Sequence, residues 1–274
     1  MLCCGVTLFA EEAGGIRRLT SDGFFKLTPR ISPNGEELLY SQGRMDRFQL
    51  MKLDLRSKTK PERFDKSEVS EYEAGWSPDG NSVVYSHVKL SPGQGDLEVY
   101  VVNRDGTNPR LVLGTDGALS HEESPCWSPD GKRIALVSTR HGNQEIYTCT
   151  PDGKDLQRLT TDSALDKSPF WGRDGKIYFA SGRWGDLELA VMNADGSEIR
   201  RLTESKGIDD YPCLSPDGKH VAFVSNRDGD FEIYVLRLSD GTAHNVTNAR
   251  SVENFPCWSP DGKLIFSSNR HGGF

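Results

Sequence analysis

The sequence lacks several features by which whole classes of protein are recognised. Its 274 residues contain no hydrophobic run that approaches the length of a membrane-spanning helix. Asp and Glu outnumber Lys and Arg by 40 to 33, which gives a formal net charge of −7. Non-specific nucleic-acid binding normally needs a basic surface. We therefore expect neither membrane insertion nor a nucleic-acid partner.

Common catalytic and redox motifs are also missing. The chain has no Gly-x-Ser-x-Gly nucleophile elbow, no Gly-rich phosphate loop leading into a helix, and no Cys-x-x-Cys pair. Six cysteines are present, but Cys126, Cys213 and Cys257 each follow a proline at one position of an internal repeat. This spacing does not resemble a disulfide framework, and we interpret the three as small buried residues of inner strands.

A turn motif, in contrast, occurs six times, as four exact copies and the variants Ser32-Pro33-Asn34-Gly35 and Gly172-Arg173-Asp174-Gly175. Ser128-Pro129-Asp130-Gly131 is a type I turn sequence, in which Pro presets φ and Gly accepts the left-handed geometry that follows. The closing glycines of the six copies, separated by 45, 51, 44, 43 and 44 residues, are Gly35, Gly80, Gly131, Gly175, Gly218 and Gly262. A period in this range indicates a stacked or circular array of repeats.

Each repeat has the pattern of four β-strands. A short segment precedes the turn and an alternating one follows it, as at residues 132–138; two more, around 145–148 and ending at Thr160, flank an Asp-Gly turn. No helical period is sustained for three turns. Four antiparallel strands in about 44 residues, repeated six times, predict an all-β fold, a six-bladed β-propeller.

The chain ends predict how the ring closes. The sixth repeat stops at Phe274 without its two outer strands, and aligning Leu19-Thr20 on Val246-Thr247 places Val6 on Ile233. We predict that residues 5–20 complete the last blade and cover its edge; the first ten residues also fit the end of a signal peptide. The single predicted domain, 1–274, has blades at about 21–63, 64–115, 116–160, 161–203, 204–247 and 248–274 plus 5–20.

The repeat unit resembles a known family. Its order is Pro-x-Trp-Ser-Pro-Asp-Gly-Lys-x-Ile, then Ser-x-Arg-x-Gly, Glu-Ile-Tyr, Asp-Gly and Arg-Leu-Thr. This order resembles the TolB-type β-propeller repeat of bacterial proteins, over essentially the whole chain. The resemblance implies a periplasmic or extracellular location. A further hypothesis is that the chain is the propeller module of a longer secreted or periplasmic protein.

The face opposite the Ser-Pro-Asp-Gly tips carries the variable loops and is the predicted binding surface. Three residues before the proline of each first strand, or before Ala74 in the second repeat, Lys26 takes one place and acids take the other five: Glu71, Glu122, Asp166, Asp209 and Glu253. Carboxylates around a channel mouth suit a hard cation. The five acids are therefore candidate metal ligands, with calcium as the candidate cofactor.

Basic side chains are predicted on the same face. The Ser-x-Arg-x-Gly loops supply Arg140, Arg183, Arg227 and Arg270, and His121, His141 and His271 lie in or near such loops. These seven residues are candidate ligand-binding residues. An alternative is that the arginines pair with the acids blade by blade, since guanidinium groups suit carboxylates. Both interpretations remain open.

The tips are expected to form a purely structural face. Trp76, Trp127, Trp171 and Trp258 share one repeat position, and we predict that they pack between blades rather than stack on a sugar.

Two functional hypotheses follow. The favoured one is a monomeric, non-enzymatic TolB-like propeller that binds a protein or peptide partner on the loop face, with calcium at the channel. The alternative is a metal-dependent polysaccharide lyase or hydrolase at the same face, by analogy with oligogalacturonate lyases. It requires His121, His141 and His271 to converge with acids on one ion.

Overall fold

The computed structural model describes residues 7–12, 15–44, 47–57, 59–88, 97–114 and 120–270. Every secondary-structure element in these ranges is a β-strand. The prediction of an all-β propeller is therefore confirmed. No helix long and apolar enough to cross a membrane occurs in these ranges.

Five sheets are each formed by four consecutive antiparallel strands. The first two sheets comprise β3 (Lys26–Ile31), β4 (Glu37–Arg44), β5 (Arg47–Asp54) and β6 (Glu62–Arg63), then β7 (Glu71–Trp76), β8 (Ser82–Val88), β9 (Leu97–Asn103) and β10 (Arg110–Leu113). The next comprises β11 (Glu122–Trp127), β12 (Ile134–Ser138), β13 (Glu145–Cys149) and β14 (Gln157–Arg158). The last two comprise β15 (Asp166–Trp171), β16 (Ile177–Trp184), β17 (Asp186–Met192) and β18 (Arg200–Arg201), then β19 (Asp209–Leu214), β20 (His220–Ser225), β21 (Glu232–Arg237) and β22 (Ala243–Asn245).

A further four-stranded sheet joins the two ends of the chain. It contains β1 (Thr7–Glu12), β2 (Gly15–Arg18), β23 (Glu253–Trp258) and β24 (Leu264–Ser268), in the order β2-β1-β24-β23. The innermost strands β3, β7, β11, β15, β19 and β23 each contact the innermost strands of two neighbouring sheets, and contact between β23 and β3 closes the ring. Five blades are thus continuous stretches of chain, and one is composite.

The prediction for the composite blade is wrong in its register. Leu8 pairs with Ser267 where the preceding blade pairs Ile233 with Val224, so Leu8, and not Val6, takes the place of Ile233. The cause is a shorter hairpin: β1 ends at Glu12 and β2 begins at Gly15, whereas β21 ends at Arg237 and β22 begins at Ala243. An alignment without gaps could not allow for this difference. Val6 itself lies outside the described residues.

The hydrophobic core lies in layers between neighbouring blades. One layer packs Tyr178 and Leu189 of the fourth blade against Leu214, Val221 and Phe223 of the fifth, all at most 5 % exposed. Burying a side chain of this size contributes about 1.5–3 kcal/mol. Because the core is divided among the blade interfaces, the centre of the ring is left for a channel.

Hydrogen bonds explain the recurring turn sequence. Ser128 Oγ donates to Asp130 Oδ1 at 2.7 Å and accepts from the backbone N–H of Arg133 at 2.9 Å, while Gly131 has φ of 70°. Serine and aspartate thus close the hairpin together, and glycine provides the left-handed backbone.

The fourth turn departs from the consensus, and neighbouring side chains occupy the space of the missing serine. A Cβ atom on Gly172 would meet Oδ1 of Asp174 and would lie 2.9 Å from Cδ2 of Leu214, so a serine there would require these side chains to move. Asp174 instead accepts a 2.8 Å hydrogen bond from the hydroxyl of Tyr178.

Candidate functional site

The five predicted acids are the first residues of five inner strands. Lys26 begins the remaining inner strand, β3, and the acids that begin β7, β11, β15, β19 and β23 are Glu71, Glu122, Asp166, Asp209 and Glu253. We call these five the acid ring. All six side chains are at most 1 % exposed. The repeat therefore gathers these charged groups near one end of the channel, but inside the protein and not on an open rim.

Four members of the acid ring are paired with the loop arginine of their own blade. Nη2 of Arg227 donates to Oδ2 of Asp209 at 2.7 Å, and its Nε donates to Ser225 Oγ at 2.9 Å. The guanidinium also lies 4.7 Å from the ring centre of Tyr234. The equivalent ion pairs join Arg140 to Glu122 at 2.8 Å, Arg183 to Asp166 at 2.7 Å and Arg270 to Glu253 at 3.1 Å. All four guanidinium groups are thus engaged with protein partners.

The remaining two blades deviate from this pattern. In the first, the ammonium group of Lys26 donates to Asp22 and, at 3.0 Å, to the carbonyl oxygen of Phe24, and burial lowers its pKa. In the second, Nδ1 of His87 lies 3.8 Å from Oε1 of Glu71. Among the described residues, neither blade has the arginine–carboxylate pair found at the start of the other four inner strands, which agrees with their divergent loop sequences.

One oxygen of every acid-ring carboxylate has no hydrogen-bond partner in the described ranges: Oε1 of Glu71, Oε2 of Glu122, Oδ1 of Asp166, Oδ1 of Asp209 and Oε2 of Glu253. Burial raises the pKa of Glu71, Asp166 and Glu253, because a carboxylate loses hydration there. A buried oxygen without a hydrogen-bond partner lowers the stability of the folded state. These oxygens are therefore where the ring could accept water, a donor or a cation.

The candidate metal ligands do not come together around one point. Among the described side chains, no three of His, Cys, Asp or Glu lie close enough to hold a single ion. The acids belong to different blades, and four of them are already bound to arginine. Direct coordination of calcium needs six to eight oxygens at about 2.3–2.6 Å. The side chains described here do not fit that requirement on their own.

The predicted histidines are dispersed. His121 and His141 are exposed and belong to the same blade. Nδ1 of His141 lies 2.5 Å from the hydroxyl of Tyr147, and the two rings are stacked. His271 lies outside the described residues. The described histidines therefore form no group with the acid ring that resembles a catalytic metal centre.

A feature that the sequence did not predict is a cavity on the tip face. It has a volume of about 690 Å³ and is lined by the ends of the inner strands and the prolines of the tips. We call it the tip-face cavity. Trp76, Trp127 and Trp258 are half-buried in its wall, as is Cys126, whereas Cys213 and Cys257 are buried. The prediction that the tips form a purely structural face is therefore incomplete.

A bulge in each inner strand shapes this cavity. Tyr211 and Pro212 lie opposite the single residue Phe223, and Pro fits because a bulge does not need its missing N–H. The first bulge residue has a positive φ of 45–54° in every inner strand: Thr28, Glu73, Ser124, Ser168, Tyr211 and Phe255. None is glycine, and left-handed backbone at such residues costs on the order of 1 kcal/mol. The residue types at this position share nothing, but a proline follows it in five of the six strands and is the signal that marks it.

Known proteins resemble this chain in sequence over part of its length. The family profile of the TolB beta propeller domain matches residues 118–209 and 202–274. A TolB homolog of Chlorobium luteolum is 30% identical over 138 residues, which are 50% of this chain and 29% of that protein. The Tol-Pal system protein TolB of Thioalkalivibrio sulfidiphilus is 34% identical over 84 residues, 31% of this chain and 19% of that protein. The chain thus spans less than a third of the length of these curated relatives.

Solved structures resemble nearly the whole chain. A putative TolB from Agrobacterium tumefaciens has a TM-score of 0.81 at 25% identity, covering 97% of both chains. An oligogalacturonate lyase in complex with manganese has a TM-score of 0.64 at 14% identity, covering 96% of this chain and 85% of that one, a likeness of fold alone. Because the family profile matches more than half of its residues, the chain belongs to the TolB beta propeller domain family.

Proposed function

We propose that the chain is a non-enzymatic TolB-like propeller that binds a protein or peptide partner on its loop face. The observation that carries the proposal is a set of exposed apolar side chains, each directly before the first residue of an inner strand. We call them the apolar rim; they are Phe25 (38 % exposed), Leu165 (39 %), Ile208 (37 %) and Val252 (40 %). Exposed apolar groups gathered on one surface are typical of protein interaction sites.

The backbone holds the apolar rim in place. The carbonyl oxygens of Leu165 and Ile208 accept hydrogen bonds from the N–H groups of Gly182 and Asn226, at 2.9 and 3.3 Å. Equivalent bonds run from Gly43 to Phe25 and from Asn269 to Val252. A surface that is fixed before binding loses less conformational entropy when a partner docks. Rigid presentation of apolar side chains therefore supports recognition of a peptide or protein surface.

The relatives suggest the cellular location and the kind of protein in which this propeller acts. One of them is named as a protein of the Tol-Pal system, and this chain covers 19% of its length. We infer that the chain serves as the partner-binding propeller of a periplasmic or extracellular protein. Its net charge of −7 also favours a protein over a nucleic acid as the partner. We expect the propeller to act as a monomer.

Two variants of the apolar rim test the proposal. Peptides are selected from a displayed random library on the wild-type protein, and their affinities are measured by calorimetry for Leu165→Asp and Ile208→Asp. Leu111→Asp is the matched control, because Leu111 is 50 % exposed but lies in the outer strand β10. We expect at least a tenfold loss for both rim variants and none for the control. Equal affinities throughout would contradict the proposal.

Calcium is a separate proposal. No three described side chains lie close enough to ligate one ion. We propose that calcium binds at the channel with its water shell and is attracted by the charge of the acid ring. A ligand present at a hundredfold excess over its dissociation constant stabilises the folded state by about 2.7 kcal/mol. Thermal melts in EDTA and after adding calcium, with magnesium as control, measure this effect. A melting temperature that calcium does not change would contradict the calcium proposal.

The lyase or hydrolase alternative rests on fold likeness only. The manganese-containing lyase is 14% identical to this chain, which carries no argument for activity. His121 and His141 belong to one blade, and the described side chains supply no trio of metal ligands. No observation on the described residues favours the alternative.

A further inference from the structure

The tip-face cavity contains a basic residue that the repeat does not explain. Arg30 is the penultimate residue of β3, and it lines the cavity in a half-buried position. The penultimate residues of the other five inner strands are small or apolar: Gly75, Cys126, Phe170, Cys213 and Cys257. A single guanidinium group therefore stands at a level of the channel where every other blade is uncharged.

The hydrogen-bonding capacity of Arg30 is largely unused. Its guanidinium donates one hydrogen bond, from Nη1 to the carbonyl oxygen of Pro29 at 2.9 Å. Across the described ranges, no carboxylate lies within ion-pair distance of it, whereas Arg227 is fixed by both Asp209 and Ser225. A guanidinium group has five N–H donors in a planar fork. Most of them remain available to a ligand.

The charge of Arg30 acts on groups from other blades. Burial raises the pKa of the Cys126 thiol to about 12, and the positive charge of Arg30 opposes that rise. Burial likewise raises the pKa of Glu73 and of Tyr211, and Arg30 again acts in the opposite direction. These three groups belong to β7, β11 and β19. The guanidinium therefore faces the common space of the cavity and not one neighbouring blade.

The walls around Arg30 are aromatic. Trp76, Trp127, Trp258 and Phe170 line the cavity. Its volume of about 690 Å³ lies within the range of roughly 300–1,000 Å³ found for small-molecule sites. Aromatic walls exclude water and strengthen a charge-assisted hydrogen bond made between them. The cavity thus combines the half-buried Arg30, together with the exposed Arg173, with surfaces suited to a flat apolar body.

One carboxylate shares the cavity, and its contacts limit its effect. Oε2 of Glu73 accepts hydrogen bonds from the backbone N–H and the hydroxyl of Ser124, at 2.7 and 3.0 Å. Burial first, and then the nearby charge of Glu123, raises the pKa of Glu73. The two Ser124 donors offset part of the repulsion between Glu73 and a bound anion.

We propose that the tip-face cavity binds a small aromatic carboxylate, with its carboxylate on the guanidinium of Arg30 and its ring between the tryptophans. Charge complementarity selects the anion, and the aromatic walls select the attached ring. The site lies on the opposite face from the apolar rim. It is therefore independent of the partner-binding proposal.

The test uses 1-naphthoate and its neutral analogue 1-naphthamide as probes. Binding is followed by calorimetry and by quenching of tryptophan fluorescence, since tryptophans form the walls. Arg30→Gln removes the charge, and Arg237→Gln is the matched control, because Arg237 is exposed and pairs with Asp240 at the surface. We expect Arg30→Gln to weaken naphthoate binding at least tenfold and to leave naphthamide binding unchanged. A factor of ten corresponds to about 1.4 kcal/mol, the lower end for a hydrogen bond to a charged group.

A second variant fills the cavity without changing its charge. A Cβ atom on Gly75 would meet only Cγ1 of Val84 at 3.4 Å and the carbonyl oxygen of Pro125 at 3.5 Å, so Gly75→Leu is sterically feasible at its base. It should weaken both probes, while Ile208→Asp on the opposite face should weaken neither. The proposal is overturned if naphthoate fails to bind the wild type at millimolar concentration. It is also overturned if Arg30→Gln binds naphthoate as tightly as the wild type does.

Discussion

Replacing Arg183 by methionine tests how the ion pairs beneath the loop face contribute to stability. Nη2 of Arg183 donates to Oδ2 of Asp166 at 2.7 Å, and its Nε donates to Ser181 Oγ at 2.8 Å. Asp166 is fully buried and Arg183 is 16 % exposed. Arg183→Met keeps the aliphatic part of the side chain but leaves a buried carboxylate without its cation.

The expected loss follows from the burial of the pair. Removing one partner of a buried ion pair costs about 3–5 kcal/mol. Because the guanidinium of Arg183 is partly exposed to solvent, which screens its charge, we expect the lower end, about 3 kcal/mol. For a chain of this size that lowers the melting temperature by about 6–12 °C. Urea unfolding followed by tryptophan fluorescence, together with calorimetry, measures both quantities.

The pH dependence gives the sign of the effect. Burial already raises the pKa of Asp166, and the charge of Arg183 opposes that rise, so the variant raises the folded-state pKa further. The folded variant then prefers the protonated acid more strongly than the unfolded chain does. Above the raised folded-state pKa, the free energy of unfolding of Arg183→Met is therefore lower than that of the wild type by the whole expected amount. This difference becomes smaller as the pH falls below that pKa.

Two controls isolate the charge. Adding Asp166→Asn to Arg183→Met should recover most of the loss, because the amide needs no cation. Arg237→Met, which removes an exposed pair with Asp240, should change stability by less than about 0.5 kcal/mol. A loss below about 1 kcal/mol for Arg183→Met, or a deficit that does not narrow on acidification, would refute the assignment of a buried structural pair.

The hairpin tips yield two further predictions. Ser128→Ala should lower the free energy of unfolding by about 1–2 kcal/mol, since the N–H of Arg133 loses its acceptor. Ser239→Ala, at an exposed serine, serves as the control. Equal melting temperatures for the two variants would contradict this prediction. Gly172→Ser, which restores only the serine of the consensus, should destabilise by about 1–3 kcal/mol, because its Cβ atom meets Asp174. An unchanged or higher melting temperature for Gly172→Ser would show that the turn can relax.

Much of the fold could be predicted because the signal repeats. Three features return at nearly constant spacing: the Ser-Pro-Asp-Gly turn, the inner-strand acid and the Ser-x-Arg-x-Gly loop. The structural role assigned to each feature in one repeat is therefore supported by the other repeats. The pairing of Arg227 with Asp209 was foreseeable for this reason. The register of β1 was not, since the shorter hairpin between Glu12 and Gly15 shifts it and no second copy of that hairpin exists.

The tip-face cavity could not be predicted from periodicity. Arg30 is informative because it departs from the repeat. In a blade whose loop sequence also diverges, such a departure cannot be distinguished from random sequence variation. Trp76 and Trp127 are half-exposed because the closed ring leaves a cavity beside them, and the sequence does not give the width of that cavity. The burial of the acid ring likewise depends on how the loops fold over the strand ends, which residue types alone do not determine.

The central claim, that the apolar rim binds the partner, is tested most directly by hydroxyl-radical footprinting with a selected peptide. Apolar side chains react readily with the radical when solvent reaches them. We predict that the peptide lowers labelling of Leu165, Ile208 and Val252 and leaves Leu111, on the outer strand β10, unchanged. Protection of Trp76 and Trp127 in the tip-face cavity, with the rim still labelled, would contradict the claim and move the partner site to the opposite face.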